Sequence, residues 1–190
     1  MQDVLPPDRL MQAGMGPDME WPGYAGTDEG RIVSTGRTHR DLDLLAEAAA
    51  RVGAPLVVHG NVSAPPSTTR TEKIGAPYAD VMEDLRRASV VAIPLKRTDG
   101  CFGITELNDA LALGKPVVMT RNDSIDIDID SIGCGRWVDP GDVEGWSTAL
   151  SDLQTDPGTR DEMGNRGRAW AREHWNHRLF GRALRDAVQR

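Results

Sequence analysis

The hydrophobic and polar positions along the chain follow two alternating patterns. Short runs such as PLVVH at 55–59 and SVVAIPL at 89–95 are apolar almost throughout, as are strands covered on both faces of a parallel sheet. Between them lie segments in which apolar residues recur every three or four positions, as on the buried side of a helix. Because strand-like and helix-like segments alternate along the chain, we predict parallel strands joined by right-handed helical crossovers.

Regular structure is predicted from residue 31 onward. The predicted strands are 31–36, 55–59, 89–95, 116–119 and 136–138. The predicted helices are 41–52, 78–88, about three turns after Gly103, Asp142 through Leu153, one that begins at Asp156 and Pro157, and a last one capped by Asn176. The interval 60–73 is expected to be a surface loop with room for one irregular strand. The fold class is therefore α/β, a single Rossmann-like domain with a mostly parallel sheet flanked by helices.

Residues 1–30 contain four prolines and several glycines without a sustained period. We interpret them as an irregular lead-in or linker, and 31–190, including the C-terminal helices, as the folded domain. A length of 190 residues suits one domain with a real core and is too short for two full ones.

Composition narrows the classes of function. A net charge of −7 with dispersed acids argues against nucleic acid as a partner. We see no transmembrane segment and no signal peptide, so the expected location is the cytoplasm. Cys101 and Cys134 form no close metal-like pair, and we expect neither a disulfide nor a zinc site.

The stretch FGITELNDALALGKPVVMT at 102–120 carries the main functional signal. A helix that begins after Gly103 offers unpaired N–H groups and the positive end of its dipole, where a phosphate would bind. Thr105 and Asp109 are four residues apart and share one face, while Ile104, Leu107 and Leu111 are expected to face inward. Amides for phosphate and a carboxylate for a sugar hydroxyl indicate a nucleotide site.

The same stretch resembles the signature of retaining glycosyltransferases of the GT-B fold, family four. In that signature a glutamate, seven residues and a second glutamate lead into a Gly-x-Pro-Val-Val corner, here GKPVV at 114–118. The alignment puts Asp109 at the second acid and Cys101 at the first, so both positions depart from the family pattern. The resemblance extends from Arg31 to about Val188 and includes SIGCGRWVDPGD at 131–142.

The resemblance implies how a nucleotide sugar is held. A Gly-Arg pair and a following lysine hold the donor diphosphate in the family, and GRTHRD at 36–41 offers two arginines. Asp109 would bind the ribose hydroxyls, whereas no residue is assigned with confidence to catalysis. The implied substrate-binding residues are Gly36, Arg37, Arg40, Phe102, Gly103, Ile104, Thr105, Leu107 and Asp109. The alternative is that the arginines are merely solvated and that Asp109 is favoured by the helix dipole.

Three other features have simpler explanations. Asp126, Asp128 and Asp130 alternate with isoleucines and lack the glycine and glutamate of a calcium loop, so an exposed acidic strand or extended turn is expected and no metal site. A nucleophilic role for Cys101 would need a base, and His39 is the histidine that could approach it. Three tryptophans, 146, 170 and 175, are expected to pack in the core or between domains.

The resemblance therefore implies the donor-binding, carboxyl-terminal half of a retaining glycosyltransferase that transfers a hexose-type sugar from a UDP or GDP sugar to an unknown acceptor. No cofactor is implied beyond that substrate. The fragment is expected to be inactive without an amino-terminal acceptor domain or a partner chain. The full enzyme would be cytoplasmic, or peripheral at the inner membrane face, and the apolar side of the last helix would favour a homodimer.

Two alternatives remain open at this stage. Loss of the first acid at Cys101 and the shorter acid at Asp109 favour a catalytically degenerate nucleotide-sugar-binding or regulatory module. A sugar-nucleotide epimerase on the same fold would need acid/base residues that the sequence does not place.

Overall fold

A computed structural model describes residues 13–20, 26–71 and 75–189. The strands are β1 (Arg31–Ser34), β2 (Leu56–Val58), β3 (Thr69–Thr71), β4 (Ala88–Ile93), β5 (Val117–Thr120) and β6 (Gly135–Val138). The helices are α1 (Leu42–Arg51), α2 (Tyr78–Arg86), α3 (Ile104–Leu113), α4 (Ile129–Ile132), α5 (Val143–Thr155), α6 (Pro157–His174) and α7 (His177–Val188).

All six strands of the described sheet are parallel, in the order β3-β2-β1-β4-β5-β6. The predicted Rossmann-like α/β fold is confirmed. The strand order reverses between β1 and β4, whose following connections leave toward opposite faces of the sheet. In open α/β sheets such a switch point leaves a crevice at the carboxyl ends of the strands, where ligands bind.

Helices cover both faces of the sheet, which explains why the buried strands β2, β4 and β5 are almost entirely apolar. Along β5, Val117 and Met119 pack in the cluster that includes α2 and α3, whereas Val118 packs in the cluster that includes α1 and α5. Trp146 of α5 is fully buried in the second cluster, and Trp170 and Trp175 pack against the first. The sequence therefore predicts the structural role of these tryptophans correctly.

Several boundaries and faces differ from the prediction. Helix α2 ends at Arg86 because Ala88 already pairs with Arg31 as the first residue of β4. The spacing of His174 from Met163 and Trp170 predicts a place on the inner side of α6, but its side chain is 54% exposed. The acidic stretch after β5 forms turns, one of the two predicted alternatives, and then the unpredicted helix α4, in which Ile129 is buried and which Asp128 caps.

The described parts of the lead-in, 13–20 and 26–30, contain no helix or strand, yet they pack on the domain. Met19 is buried, and the Asn108 side chain donates to the Met15 carbonyl at 2.9 Å. Arg160 binds the Asp28 carboxylate at 2.7 Å. The division at residue 30 stays a prediction, and Pro6, Pro7 and Pro22 lie outside the described residues.

Helix α7 is capped by Asn176, as predicted, and none of its residues is buried. Leu184 and Val188 expose their apolar side chains. None of the helices in the described ranges has both the length and the apolar character required to cross a bilayer.

Candidate functional site

A cavity of about 470 Å³ lies at the carboxyl edge of the sheet, over the switch point between β1 and β4. Its walls are the loop after β1, the first turn of α2 and the first turn of α3. Nearly all the substrate-binding residues that the family resemblance implies line this cavity. Those residues are Gly36, Arg37, Arg40, Phe102, Gly103, Ile104, Thr105 and Asp109, together with Cys101.

Gly103 forms the bottom of the cavity at the start of α3 and has a φ of 88°, in the left-handed region. A Cβ at this position would lie 2.8 Å from the Met119 methyl group and 2.9 Å from a methyl group of Ile93. Only glycine therefore fits both the backbone conformation and the space. The N–H groups of the first helical turn lack intrahelical acceptors and remain available to an anion.

Leu107 does not belong to this group of amides. Its N–H donates to the Gly103 carbonyl at 2.9 Å, and its side chain is fully buried in the core. The expectation that Leu107 offers its N–H to a ligand is therefore corrected, because that N–H closes the first turn of α3.

The loop between β4 and α3 is held by hydrogen bonds from a residue that follows β5. The Asn122 side chain donates to the carbonyls of Gly100 and Phe102 at 3.0 and 3.3 Å. Cys101 is exposed between these two anchored residues. His39 contacts the Phe102 ring, with 4.2 Å between ring centroids, and so joins the loop after β1 to the loop before α3.

Arg37 and Arg40 have different surroundings although both line the cavity. Arg37 is exposed, and none of the ion pairs found among the described residues involves it. Arg40 is buried, with its side chain 6% exposed, and its guanidinium binds the carboxylate of Glu106, which is 3% exposed. The structure thus differs from the expectation that Arg40 is free for a diphosphate, because a carboxylate of the chain already engages it.

Glu106 also binds the backbone of the loop after β1. Its Oε1 accepts from the Thr35 N–H at 2.5 Å, the Thr35 hydroxyl at 3.0 Å and the Gly36 N–H at 2.9 Å. From the sequence alone, Glu106 is only an acid near a helix N-terminus, where any carboxylate is favoured. Its spacing of four and seven residues from Ala110 and Leu113, which are buried, was the available signal that it points inward.

Asp109 lies one turn further along α3 and is half-buried. Its carboxylate accepts a hydrogen bond from the Tyr78 hydroxyl at 2.9 Å. Burial raises the pKa of Asp109 to about 6, the Tyr78 hydrogen bond opposes this, and the nearby charge of Glu106 adds to the rise. At neutral pH the group is mostly ionised and can accept hydrogen bonds from hydroxyl groups.

His59, which the sequence analysis did not single out, also lines the cavity. It follows the buried strand β2 and is 4% exposed, and its Nε2 lies 3.0 Å from the Asp84 carboxylate. Its Nδ1 is buried without a hydrogen-bond partner in the part of the chain that the structure describes. The sequence shows only a histidine directly after an apolar strand. That pattern does not distinguish a histidine that lines a cavity from one that is buried in the core.

Within 13–20, 26–71 and 75–189, no three His, Cys, Asp or Glu side chains are arranged to hold a metal ion. Asp128 instead accepts hydrogen bonds from the Asp130 and Ser131 N–H groups and from the Trp137 indole. The Ser131 hydroxyl donates to the same carboxylate at 2.6 Å. This bond is the main reason that the pKa of Asp128 is lowered, and the Ser131 N–H and the Trp137 indole add to it.

An open parallel sheet of this strand order, with an arginine and a helix N-terminus over its switch point, defines the class of doubly wound α/β domains, which bind ligands at this edge of the sheet. Residues 71–170, more than half of the chain, match the family described as glycosyl transferases group 1. The chain belongs to this family. Its fold matches the domains of GT-B glycosyltransferases, so the resemblance noted in the sequence is confirmed.

The comparisons also identify individual relatives. A GDP-mannose-dependent alpha-(1-6)-phosphatidylinositol monomannoside mannosyltransferase from Mycolicibacterium smegmatis is 34% identical over 120 residues, 60% of this chain. A solved glycosyltransferase from Rickettsia africae has a TM-score of 0.76 over 97% of this chain and 57% of that one, at 12% identity. A C-terminal domain of a group 1 glycosyl transferase (LpcC) from Francisella tularensis has a TM-score of 0.63, at 15% identity over 80% of this chain and 88% of that one.

The matched part of the chain spans 31% of the mannosyltransferase, less than a third of its length. The solved structures share the fold at identities of 12% and 15%.

Proposed function

We propose that this chain is the donor-binding half of a retaining glycosyltransferase that takes a hexose-type sugar from a nucleoside diphosphate sugar. The observation that supports it most is one cavity that contains an exposed arginine, a helix N-terminus and an ionisable carboxylate. These groups suit, in turn, the charge of a diphosphate, its oxygens and the hydroxyls of a ribose.

The diphosphate would bind at the first turn of α3. The N–H groups of Ile104 and Thr105 and the Thr105 hydroxyl would donate to its oxygens, with the Arg37 guanidinium opposite them. When the bond from the anomeric carbon to the phosphate oxygen breaks, negative charge develops on the leaving diphosphate. A guanidinium and aligned backbone dipoles stabilise that charge without reorganising.

The ribose would bind beside Asp109, one helical turn from the phosphate site. An ionised carboxylate accepts hydrogen bonds from two vicinal hydroxyls. The relatives whose names specify a donor are GDP-mannose-dependent, so GDP and GDP-mannose are the first ligands to test. The proposal includes no metal or other cofactor. We propose the cytoplasm as the location of this step.

Titration calorimetry tests this proposal. A folded sample, verified by circular dichroism, is titrated with GDP, UDP, GDP-mannose and UDP-glucose. We expect saturable heat with at least one diphosphate, with a Kd in the micromolar to millimolar range, and little heat with the free nucleoside. Absence of heat with all four ligands would refute a donor site.

The acceptor site and full activity would require an amino-terminal half or a partner chain. A second candidate function, a degenerate nucleotide-sugar-binding module, is favoured by the exposed thiol of Cys101 at the position of the family's first acid. The two candidates share the binding site and differ in whether sugar transfer is possible once the missing half is supplied.

A further inference from the structure

We propose that Glu106 and Arg40 form a positioning pair that holds the loop after β1 in the shape from which Arg37 reaches the diphosphate. This inference rests on the proposed donor site and assigns a role to two residues that do not themselves touch the ligand. It also accounts for why Arg40 lines the cavity without being free to bind phosphate.

The first step is the set of bonds that meet at Glu106. One carboxylate accepts from the Thr35 N–H, the Thr35 hydroxyl, the Gly36 N–H and two guanidinium nitrogens of Arg40, of which Nε lies at 3.1 Å. Every one of these donors belongs to the loop after β1, while Glu106 belongs to α3. The carboxylate therefore ties the two walls of the cavity together.

The second step is the position of Arg37 between fixed neighbours. On one side, the Gly36 N–H is bound by Glu106. On the other, the Thr38 carbonyl accepts from Arg40 Nη1 at 2.8 Å. The loop is further bound to the segment that follows β4, because the Lys96 N–H donates to the His39 carbonyl at 2.8 Å. The backbone that carries Arg37 is thus held before any ligand binds, which lowers the entropic cost of binding.

The third step is electrostatic. A bare carboxylate in the first turn of α3 would repel a diphosphate, and two loop amides would otherwise be open to an anion. Arg40 compensates the charge of Glu106 at close range, and both side chains are nearly inaccessible to water. The anion site is then left to the helix N–H groups and to Arg37.

Gly36 fits this arrangement. A Cβ at Gly36 would overlap the guanidinium of Arg40, so the loop has a glycine where Arg40 crosses it to reach Glu106. A side chain at this position would displace Arg40 from the pair.

The test uses the full chain and a double variant, Arg40→Met with Glu106→Leu, because replacing both members of a buried pair by apolar residues keeps a protein folded more often than removing one. The control is Arg160→Met with Asp28→Leu, which removes another ion pair of a nearly buried arginine, one that joins the lead-in to α6. Amide hydrogen exchange is measured at Thr35 and Gly36 without ligand, and GDP affinity is measured by calorimetry at 50 and 300 mM salt.

We expect the Thr35 and Gly36 amides to exchange slowly in the natural chain and roughly a hundredfold faster in the double variant. GDP affinity should fall about tenfold, by a factor that does not change with salt because the pair is shielded from ions. Arg37→Ala, which removes an exposed charge, should lose affinity by a factor that shrinks as salt rises. Glu106→Gln retains an acceptor for the amides. Its amide exchange rates and its GDP affinity should therefore lie between those of the natural chain and those of the double variant.

Unchanged amide exchange and unchanged GDP affinity in the double variant would overturn the inference. Higher GDP affinity would also overturn it, since Glu106 would then be a competitor for the anion site. If the natural chain binds no diphosphate at all, the proposed function fails, and the exchange rates without ligand still decide whether the pair holds the loop.

Discussion

Arg37 and Arg40 are three residues apart in one loop, yet one is exposed and the other is buried against Glu106. The sequence alone predicted both as phosphate ligands because each follows a buried strand at the edge where ligands bind. Which arginine is taken up by a carboxylate depends on α3, a helix more than sixty residues later in the chain. A local pattern contains no signal for that pairing.

Arg37→Ala gives the first prediction. Arg37 makes no ion pair within the described residues, so the free energy of unfolding should change by less than about 0.5 kcal/mol. Loss of a charge-assisted contact to phosphate should weaken GDP binding about tenfold, or about 1.4 kcal/mol.

Calorimetry at low salt measures the effect of this change. Arg51→Ala is the matched control, since Arg51 is an exposed arginine at the far end of α1 and should leave GDP binding unchanged. Equal affinities for Arg37→Ala and the natural chain would place the phosphate elsewhere.

Asp109 provides a prediction on pH. Its pKa is about 6 in the folded chain against an ordinary value of 3.8, so the folded state holds the proton more tightly than the unfolded state. The contribution of this group to stability is therefore greatest below about pH 4 and is lost as pH rises through about 6. Asp109→Asn should raise the free energy of unfolding at pH 7 by about 1–3 kcal/mol and should gain nothing at pH 3.5.

Denaturant unfolding at several pH values measures this difference, and Asp152→Asn, at an exposed position on α5, is the control. The same Asp109→Asn variant should bind GDP more weakly at pH 7, because a carboxylate is a stronger acceptor for ribose hydroxyls than an amide. A variant that is no more stable at pH 7 than the natural chain would contradict the assigned cost of burying this charge.

At the scale of elements, the strands and helices were largely predictable and their ends were not. Runs such as LVV in β2 and VVMT in β5 are apolar because both faces of the sheet are covered, and that produces a local signal. The stretch before α4 also alternates, but there the isoleucines enter the core from turns, so alternation alone left a strand and an extended turn as alternatives. Only the surrounding packing separates the two cases.

The turn into α3 gives an element-scale prediction. Gly103→Ala must adopt a left-handed φ and place a methyl group within 3 Å of Met119 and Ile93. We expect a loss of about 1–3 kcal/mol in the free energy of unfolding and weaker GDP binding, because the amides of the first helical turn shift.

Gly181→Ala on α7 is the matched control for this change. A Cβ there meets nothing within 4 Å, and alanine favours the helix by about 0.5–1 kcal/mol. Thermal unfolding of both variants measures the difference. A Gly103→Ala variant as stable as the natural chain would show that the turn can relax and that the shape of the anion site is not fixed by this glycine.

At the scale of the whole molecule, the part of the chain that the structure describes contains the proposed donor cavity and no second domain. The cavity opens at the carboxyl edge of the sheet, and helix α7 leaves Leu184 and Val188 exposed. The sequence predicted that apolar side as a site of self-association. Whether the isolated chain dimerises remains a prediction, measurable by sedimentation at increasing protein concentration.

The final prediction concerns transfer. The chain alone should bind GDP-mannose and release no mannose to an acceptor, because an acceptor hydroxyl must be held against the anomeric carbon and its proton removed. Fusion to the part of the mycobacterial mannosyltransferase that this chain does not match is the way to test whether a missing acceptor site can be supplied, since this chain matches 31% of that protein. Transfer is measured as radiolabelled mannose appearing in the acceptor of that relative.

If the donor site is intact, the fusion should transfer mannose, and Cys101→Glu with Asp109→Glu, which restores the family's two acids, should raise the rate further. If the chain is a degenerate module, the fusion should bind GDP-mannose without transfer, and the restored acids should be required for any activity. A fusion that carries Arg37→Ala is the control. If the donor site is intact, this change should lower the transfer rate by the same factor as it lowers the affinity for GDP-mannose. These outcomes separate a donor site that lacks only its partner domain from one in which the thiol at Cys101 has ended catalysis.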